Sequence, residues 1–275
     1  MRSDYVQRFL FESLDIRGRL VCLTGAWTRM LEGRDYSPRV AALLGHTTAL
    51  AVLLGANLKD RGRVTVQAQG GGALRLLVAD CDAQLRIRGM ASCADGPGAL
   101  PGQGKLAVTL DDAASGQLYQ SVVSLEGSSL GATFERYLAQ SEQRPSYLHL
   151  LADRGALCGL LLEKLPGADA RDADGWNRVT RLAATLRLAE SVDAQPYDLL
   201  TRLFPEELLR VFRLHAVEYH CPEDAEKVRN VLRNLGRDEL QSILAERGEV
   251  IVRNEMSNRE YRFDPRDIAR LFAAH

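Results

Sequence analysis

The stretch from residue 37 to residue 55 restricts the possible folds more than any other part of this sequence. It is rich in alanine and leucine, and apolar residues such as Val40 and Leu44 recur at helical spacing. Ser37 can cap such a helix, and Pro38 suits its first position. The pattern therefore predicts a long helix that is buried in a globular core.

An alternating pattern follows this helix. Apolar and polar residues alternate from 64 to 69, the glycines at 70–72 interrupt the pattern, and it resumes at 74–78. A period of two residues is typical of half-buried strands, so this region predicts an antiparallel meander. Further strands are predicted at residues 105–110, 118–125 and 147–151. Together these elements predict that residues 1–175 are rich in β-strands.

The composition changes after Pro166. Residues 167–175 (GADARDADG) are polar and mark a boundary, and the sequence from 176 to 214 has a helical apolar period throughout. Pro205 is expected to begin the third and last helix of this stretch, with acidic residues in its first turn. We predict a helical linker over residues 176–216.

The last part of the chain predicts a small module over residues 217–275. Two helical patterns, near 223–235 and 237–246, are followed by a hairpin signature at 250–263. Asp264 is expected to cap a final helix with Pro265 at its first position. The module thus combines helices with a β-hairpin.

Overall composition narrows the function classes. The chain has 275 residues and a formal net charge of −1, so it lacks the basic surplus of proteins that follow nucleic-acid phosphates. The first eleven residues lack an apolar signal core, and no run of about 18 apolar residues predicts a membrane span. Five widely spaced cysteines form no C-x-C or C-x-x-C pair, which favours a cytoplasmic location.

One motif indicates a hydrolase. Residues 127–131 (GSSLG) match G-x-S-x-G, which in hydrolases exposes a nucleophilic serine, here Ser129, on a strand-to-helix turn. Catalysis would also need an acid and a histidine later in the chain, for which His149, His215 and His220 are the candidates. The alternative interpretation is a glycine-flanked turn in which the serine has no catalytic role.

A group of possible metal ligands lies near the start of the C-terminal module. His215, His220 and Cys221 are close in sequence, but a structural zinc site needs four ligands, usually in two pairs. The hairpin at 254–257 (NEMS) supplies no good soft ligand. The residues therefore predict no bound metal and no cofactor.

Several segments, taken in order, carry a resemblance to a known family. They are residues 8–12 (RFLFE), 64–72 (VTVQAQGGG), 102–109 (GQGKLAVT), 119–127 (YQSVVSLEG), 137–145 (YLAQSEQRP), 160–167 (LLLEKLPG) and 240–249. Their order and spacing resemble the redox-regulated holdase chaperones of the 33-kDa heat-shock protein family. On this resemblance Ser129 falls in a core segment that has no catalytic role, and the chain is not expected to be an enzyme.

The resemblance also identifies the positions of a lost metal site. The family pattern is C-x-C followed about thirty residues later by C-x-x-C, and these four thiolates hold one zinc. Here Cys221 stands at the first position, Glu223 at the second, Asn254 at the third and Ser257 at the fourth. The resemblance therefore implies a degenerate, metal-free zinc module without the family's redox switch. For the whole chain it implies an α+β fold with a β-rich N-terminal core domain over residues 1–175, the helical linker and this small C-terminal module.

The expected function is that of an ATP-independent holdase that binds unfolding client proteins, either constitutively or under control by heat. Two alternatives remain open, namely the serine hydrolase and a non-chaperone binding protein that kept the fold. No nucleic-acid or membrane partner is expected, and the sequence leaves a homodimer open. The candidate client-binding residues are the apolar positions of the linker: Val179, Leu182, Leu186, Leu199, Leu203, Phe204, Leu208 and Phe212.

Overall fold

A computed structural model describes residues 4–58, 62–70, 74–93, 104–112, 116–125, 130–141, 145–223 and 225–272. The chain divides into two compact units, Met1–His220 and Cys221–His275. The predicted separation of a linker at 176–216 from a core domain at 1–175 and a module at 217–275 stays a prediction, since a segment can pack against its neighbour and still unfold by itself.

The elements within the described residues are numbered in chain order. The strands are β1 (Tyr5–Phe11), β2 (Ile16–Leu23), β3 (Gly62–Gly70), β4 (Leu74–Asp82), β5 (Arg86–Cys93), β6 (Gly104–Asp112), β7 (Gln117–Ser124), β8 (Ser146–Ala152), β9 (Leu157–Lys164), β10 (Leu209–Val211), β11 (His215–Ala216), β12 (Glu218–Tyr219), β13 (Val250–Asn254) and β14 (Arg259–Phe263). The helices are α1 (Gly25–Leu31), α2 (Pro38–Gly55), α3 (Leu130–Ser141), α4 (Ala168–Arg171), α5 (Gly175–Ala183), α6 (Leu188–Asp193), α7 (Pro196–Leu203), α8 (Ala225–Leu235), α9 (Arg237–Arg247) and α10 (Pro265–Leu271).

Two sheets form the N-terminal unit. The first has the strand order β10-β1-β2-β9-β8, with β11 also paired to β1, and the second has the order β12-β5-β4-β3-β6-β7. The predicted meander is confirmed, because β3, β4 and β5 pair in antiparallel succession. The C-terminal unit contains the predicted hairpin, β13–β14, and three helices. The predicted α+β class, with a β-rich N-terminal part and a helix–hairpin C-terminal part, is confirmed.

Helix α2 lies between the two sheets, as its apolar composition requires. It packs against β8 and β9 of the first sheet and against β3, β4 and β5 of the second. The predicted cap is confirmed, since Ser37 Oγ accepts a hydrogen bond of 3.3 Å from the Val40 amide. By length and composition α2 is also long and apolar enough to cross a membrane. Its burial between the sheets is typical of a core helix.

A buried ion-pair cluster lies where α2 ends. The Arg19 guanidinium donates to the Leu53 carbonyl near the C-terminus of α2 and pairs with the Glu163 carboxylate on the neighbouring strand β9. Arg17 donates to both oxygens of the same carboxylate, at 3.0 and 2.8 Å. Burial raises the pKa of the Glu163 carboxyl, but hydrogen bonds and charge from the two arginines outweigh this effect and hold the pKa below its usual range.

The helix predicted from Pro205 is wrong. Instead, β10 pairs antiparallel with β1, so that Phe9 lies opposite Val211. The helical pattern there was short, while β1 would otherwise present unpaired backbone amides and carbonyls along that edge. The linker predicted over 176–216 is therefore helical only as far as Leu203.

We expect Glu163→Gln to lower the free energy of unfolding of the N-terminal unit by on the order of 3 kcal/mol at pH 7, because it leaves the buried Arg19 charge without its anion. The pKa of Glu163 is lower in the folded than in the unfolded chain, so the ion pair stabilises the fold above about pH 4 and loses this effect as the pH falls through the folded-state pKa. Urea unfolding at pH 7 and at pH 3 should show a difference between wild type and variant that is full at pH 7 and smaller at pH 3.

Glu12→Gln is the matched control, since Glu12 pairs with Arg210 at 2.7 Å in a largely exposed position. Its effect should stay below about 1 kcal/mol. Equal losses for the two variants would show that the buried cluster has no special role.

Candidate functional site

The face of the first sheet that points away from α2 is apolar. Strand alternation places one set of side chains on this outer face and the other set toward α2. On β2, for example, Leu20 faces outward and Val21 faces the core shared with α2. The buried members of the outer face are Tyr5, Phe9, Phe11, Ile16, Leu20, Cys22, Cys158, Leu160 and Leu162.

The segment 168–204, which we call the covering helices, packs on this outer face. It contains α4 to α7, and its apolar side chains complete the same buried cluster. Six of the eight predicted client-binding residues lie here, namely Val179, Leu182, Leu186, Leu199, Leu203 and Phe204. These candidates are therefore not exposed in this structure, and they hide an apolar sheet face of similar extent.

An aromatic cluster joins the covering helices to the sheet. The Phe204 ring lies edge-on to Phe11, with 4.9 Å between the ring centroids, and 6.2 Å from Phe9. Phe9 and Phe11 are themselves 5.6 Å apart in an edge-to-face arrangement. Edge-to-face pairs at such distances add to the stabilisation that comes from burial alone.

Polar contacts fix both ends of the covering helices. The Arg178 side chain bridges Asp172, before α5, and Glu207, after α7, at 2.9 and 2.8 Å. These two carboxylates raise the pKa of Arg178. The His149 ring on β8 is hydrogen-bonded through Nε2 to the Leu186 carbonyl at 3.1 Å. The covering helices are thus joined to the sheet by few polar contacts and many apolar ones.

The other two candidate client-binding residues lie outside the covering helices. Leu208 and Phe212 flank β10 at the edge of the first sheet, and their side chains are 63% and 45% exposed. The backbone of Phe212 is nevertheless fixed, since its carbonyl accepts a 2.6 Å hydrogen bond from the Gln7 side chain. The structure brings six of the predicted residues together on one face and leaves these two at the sheet edge.

The four positions at which the resemblance predicts a degenerate zinc site lie in the C-terminal unit. Asn254 ends β13, and its Oδ1 accepts hydrogen bonds from the amides of Met256 and Ser257, at 3.0 and 3.2 Å. The Glu223 carboxylate is paired with Arg259, at the start of β14. The turn and the link between the two halves of the site are thus made by hydrogen bonds and an ion pair.

These residues do not fit a structural zinc ion. Tetrahedral zinc sites in proteins use thiolate, imidazole and carboxylate donors. Here the Asn254 oxygen is already used by two amides, Glu223 is paired with a cation, and Ser257 offers only a neutral hydroxyl. Within the described part of the chain, no three His, Cys, Asp or Glu side chains come close enough to hold a metal ion.

The motif serine of the hydrolase alternative, Ser129, lies outside the described residues. Two of the histidines considered with it are placed on strands at different parts of the first sheet, His149 on β8 and His215 on β11. No geometric observation therefore favours the hydrolase.

Sequence reasoning missed strand β1 and with it Phe9 and Phe11, which form the centre of the outer face. The sequence does contain a strand signal, because Tyr5, Phe9 and Phe11 are separated by even numbers of residues and would lie on one face of a strand. Cys22 and Cys158 are widely spaced in the sequence, and only the pairing of β2 with β9 brings them to the same face.

Known proteins resemble this chain in both sequence and structure. A family model described as Hsp33 protein matches residues 4–264. The 33 kDa chaperonin of Methylobacillus flagellatus is 37% identical over 280 residues, covering 98% of this chain and 94% of that protein. That of Chromobacterium violaceum is 38% identical over 276 residues, with the same two coverages. The crystal structure of the 33 kDa chaperonin from Thermotoga maritima has the same fold, with a TM-score of 0.80 at 21% identity over 98% of this chain and 97% of that one.

We expect Asn254→Ala to destabilise the hairpin by about 1–2 kcal/mol, because two turn amides lose their acceptor. Hydrogen exchange of peptides from β13 and β14, followed by mass spectrometry on the full chain, should then be about 5- to 30-fold faster. Asn254→Asp keeps an acceptor at the same place and should exchange at nearly the wild-type rate. If the Ala and Asp variants exchange equally fast, the side chain does not organise this turn.

Proposed function

Because the chain belongs to the Hsp33 family, we propose that it is an ATP-independent holdase that binds unfolding proteins through the outer face of its first sheet. The family consists of molecular chaperones and not of enzymes, so the chain is a chaperone and its partners are unfolded client proteins. The finer points, namely the binding face, its trigger and the missing redox switch, are our proposals. The observation that supports them most directly is an apolar sheet face that is hidden only by short helices.

The covering helices are suited to temporary release from the sheet. The helices α5, α6 and α7 have nine, six and eight residues. Isolated helices shorter than about 12–15 residues are marginal in water, so these helices depend on packing against the sheet for their order. Leaving the sheet would therefore also unfold them, and this gain in chain entropy grows with temperature.

A binding face for unfolded proteins must be large, apolar and tolerant of different side chains. The outer face offers aromatic and aliphatic residues from β1, β2 and β9 in one continuous surface. Exposed apolar surfaces of this kind bind other apolar surfaces without a specific sequence. The released covering helices would add their own apolar side chains to the same surface.

Heat is the proposed trigger, since the zinc positions do not fit a thiolate switch. The C-terminal unit is held by a small core, in which the fully buried members within the described residues are Leu232, Leu240, Val250 and Ile268. A unit of this size without a metal or disulfide is expected to be marginally stable. We propose a cytoplasmic location, in keeping with the bacterial chaperones to which the chain is similar. A homodimer stays a prediction.

The central experiment follows light scattering of a thermally unfolding client enzyme with and without the purified full-length chain. We expect suppression of aggregation at temperatures at which the fluorescence of Trp176, half-buried between α5 and the sheet, reports release of the covering helices. Peroxide should not be required, and Cys221→Ser should behave like wild type. The holdase proposal fails if aggregation is never suppressed, and the redox-independent version fails if peroxide is required and Cys221→Ser abolishes its effect.

A substitution in the aromatic cluster tests the binding face. Phe204→Ala should weaken docking of the covering helices by about 3–5 kcal/mol, because it removes a buried ring from the cluster. If the hidden face binds clients, this variant should suppress aggregation at a lower temperature than wild type does.

Tyr197→Ala is the matched control, since Tyr197 lies on α7, the helix that Phe204 directly follows, and is 59% exposed. It should leave both the release temperature and the holdase activity unchanged. A Phe204→Ala chain whose covering helices are released early but whose activity is unchanged would place client binding elsewhere, for example at Leu208 and Phe212.

A further inference from the structure

Two cysteines from distant parts of the chain meet on the outer face of the first sheet. Cys22 on β2 and Cys158 on β9 lie directly opposite each other in the antiparallel pairing of these strands. Their Sγ atoms are 2.7 Å apart. Both side chains are buried, Cys22 at 4% and Cys158 at 0% exposure.

The backbone geometry at this pair suits a covalent bond. Directly opposite residues in an antiparallel pair have Cα atoms about 4.5–5.5 Å apart. Disulfides form over Cα separations of about 4.4–6.8 Å. The two sulfurs can therefore be joined without moving either strand.

We propose that Cys22 and Cys158 form an oxidation site, at which an oxidant of the peroxide class converts the two thiols into a disulfide across β2 and β9.

A cavity gives a small oxidant access to one of the two cysteines. It has a volume of about 310 Å³ and is lined by Cys22, Tyr5 and Thr24 on the sheet side, and by Leu214 and residues 191–196, from the end of α6 to the start of α7. Cys158 is not among the lining residues and is fully buried. This arrangement makes Cys22 the residue that meets the oxidant and Cys158 the residue that completes the disulfide.

The reaction balances with one molecule of hydrogen peroxide. The Cys22 sulfur attacks one peroxide oxygen, the O–O bond breaks, and the departing hydroxide takes the thiol proton and leaves as water, so that Cys22 becomes a sulfenic acid. The Cys158 sulfur then attacks the Cys22 sulfur, the S–O bond breaks, and hydroxide leaves with the Cys158 proton as a second water. Each sulfur loses one electron, and the two peroxide oxygens gain one each.

Burial sets the rate of the first step. Desolvation, followed by the contact with Cys158, raises the pKa of the Cys22 thiol, so little of the reactive thiolate is present at neutral pH. The reaction should accordingly be slow in the native chain. It should be faster when the covering helices, which form one wall of the cavity, are released.

Cys81 supplies an internal comparison. It is also fully buried, and desolvation likewise raises its pKa. Its neighbours across the strands are Val64 and Ile87 rather than another thiol. A buried cysteine of this kind has no thiol beside it to complete a disulfide, so peroxide can convert it only to a sulfenic acid and then to higher oxygen acids.

This site is independent of the proposed function, because it needs only the fold of the N-terminal unit. The experiment uses the full-length chain, reduced, freed of reductant and exposed to hydrogen peroxide for increasing times. Remaining thiols are blocked with N-ethylmaleimide and the digest is analysed by mass spectrometry. We expect a Cys22–Cys158 linked peptide pair that accumulates in wild type, is reversed by reductant and is unchanged in Cys81→Ser.

The variants define the order of the steps. Cys158→Ser should abolish the linked pair and leave Cys22 as a sulfenic acid that is captured by dimedone, and Cys22→Ser should abolish both products. The proposal is overturned if no linked pair forms in wild type while Cys221 in the same sample is oxidised. It is also overturned if the pair forms only in chains already unfolded by circular dichroism, or if Cys22 in native wild type is found linked to another cysteine instead of Cys158.

Discussion

A β-sheet that is apolar on both faces is the constraint on which the N-terminal unit depends. One face packs against α2, which is itself apolar enough to require burial between two sheets. The other face is equally apolar and would be exposed to water without a second cover. Burial of apolar surface is the main stabilising contribution in folding, so this sheet needs layers on both sides. The covering helices supply the outer layer, although none of them is long enough to be stable by itself.

The two layers differ in how firmly they are held. Helix α2 is one continuous helix whose end is fixed by the buried Arg19–Glu163 ion pair, which also joins β2 to β9. The outer layer consists of short helices held by an aromatic cluster and a few polar contacts. A chaperone that must expose apolar surface without losing its fold needs this asymmetry. In the proposed function, the inner layer preserves the sheet while the outer layer is released.

The C-terminal unit, in which the resemblance predicts a lost zinc site, has polar contacts at the predicted zinc positions. A zinc ion joins four donors and so links distant parts of a small chain. Here the Asn254 side chain organises the hairpin turn, and the Glu223–Arg259 pair joins the preceding segment to the hairpin. Asp264 caps α10 through the capping box with Asp267. These contacts are weaker than metal coordination, and our proposal that heat is the trigger rests on this difference.

Much of the fold follows from local patterns in the sequence. The burial of α2, the meander, the C-terminal hairpin and the cap at Asp264 depend on the spacing of residues near one another, and this spacing is visible in the sequence. The apolar period of the covering helices was likewise visible, as was the resemblance that placed Asn254 and Ser257.

By contrast, the strand β10 depends on the free edge of β1, about 200 residues earlier in the chain, and its own sequence looks helical. Two contacts between distant residues also depend on β2 and β9 being neighbours in one sheet. They join Cys22 to Cys158, 136 residues apart, and Arg19 to Glu163, 144 residues apart. The sequence alone thus determined which residues are apolar and which segments are helix or strand over most of the chain. The loss of zinc ligands stays a prediction from the resemblance. Only the tertiary structure decided which strands pair, because strand pairing is set by contacts between distant residues that no local period records.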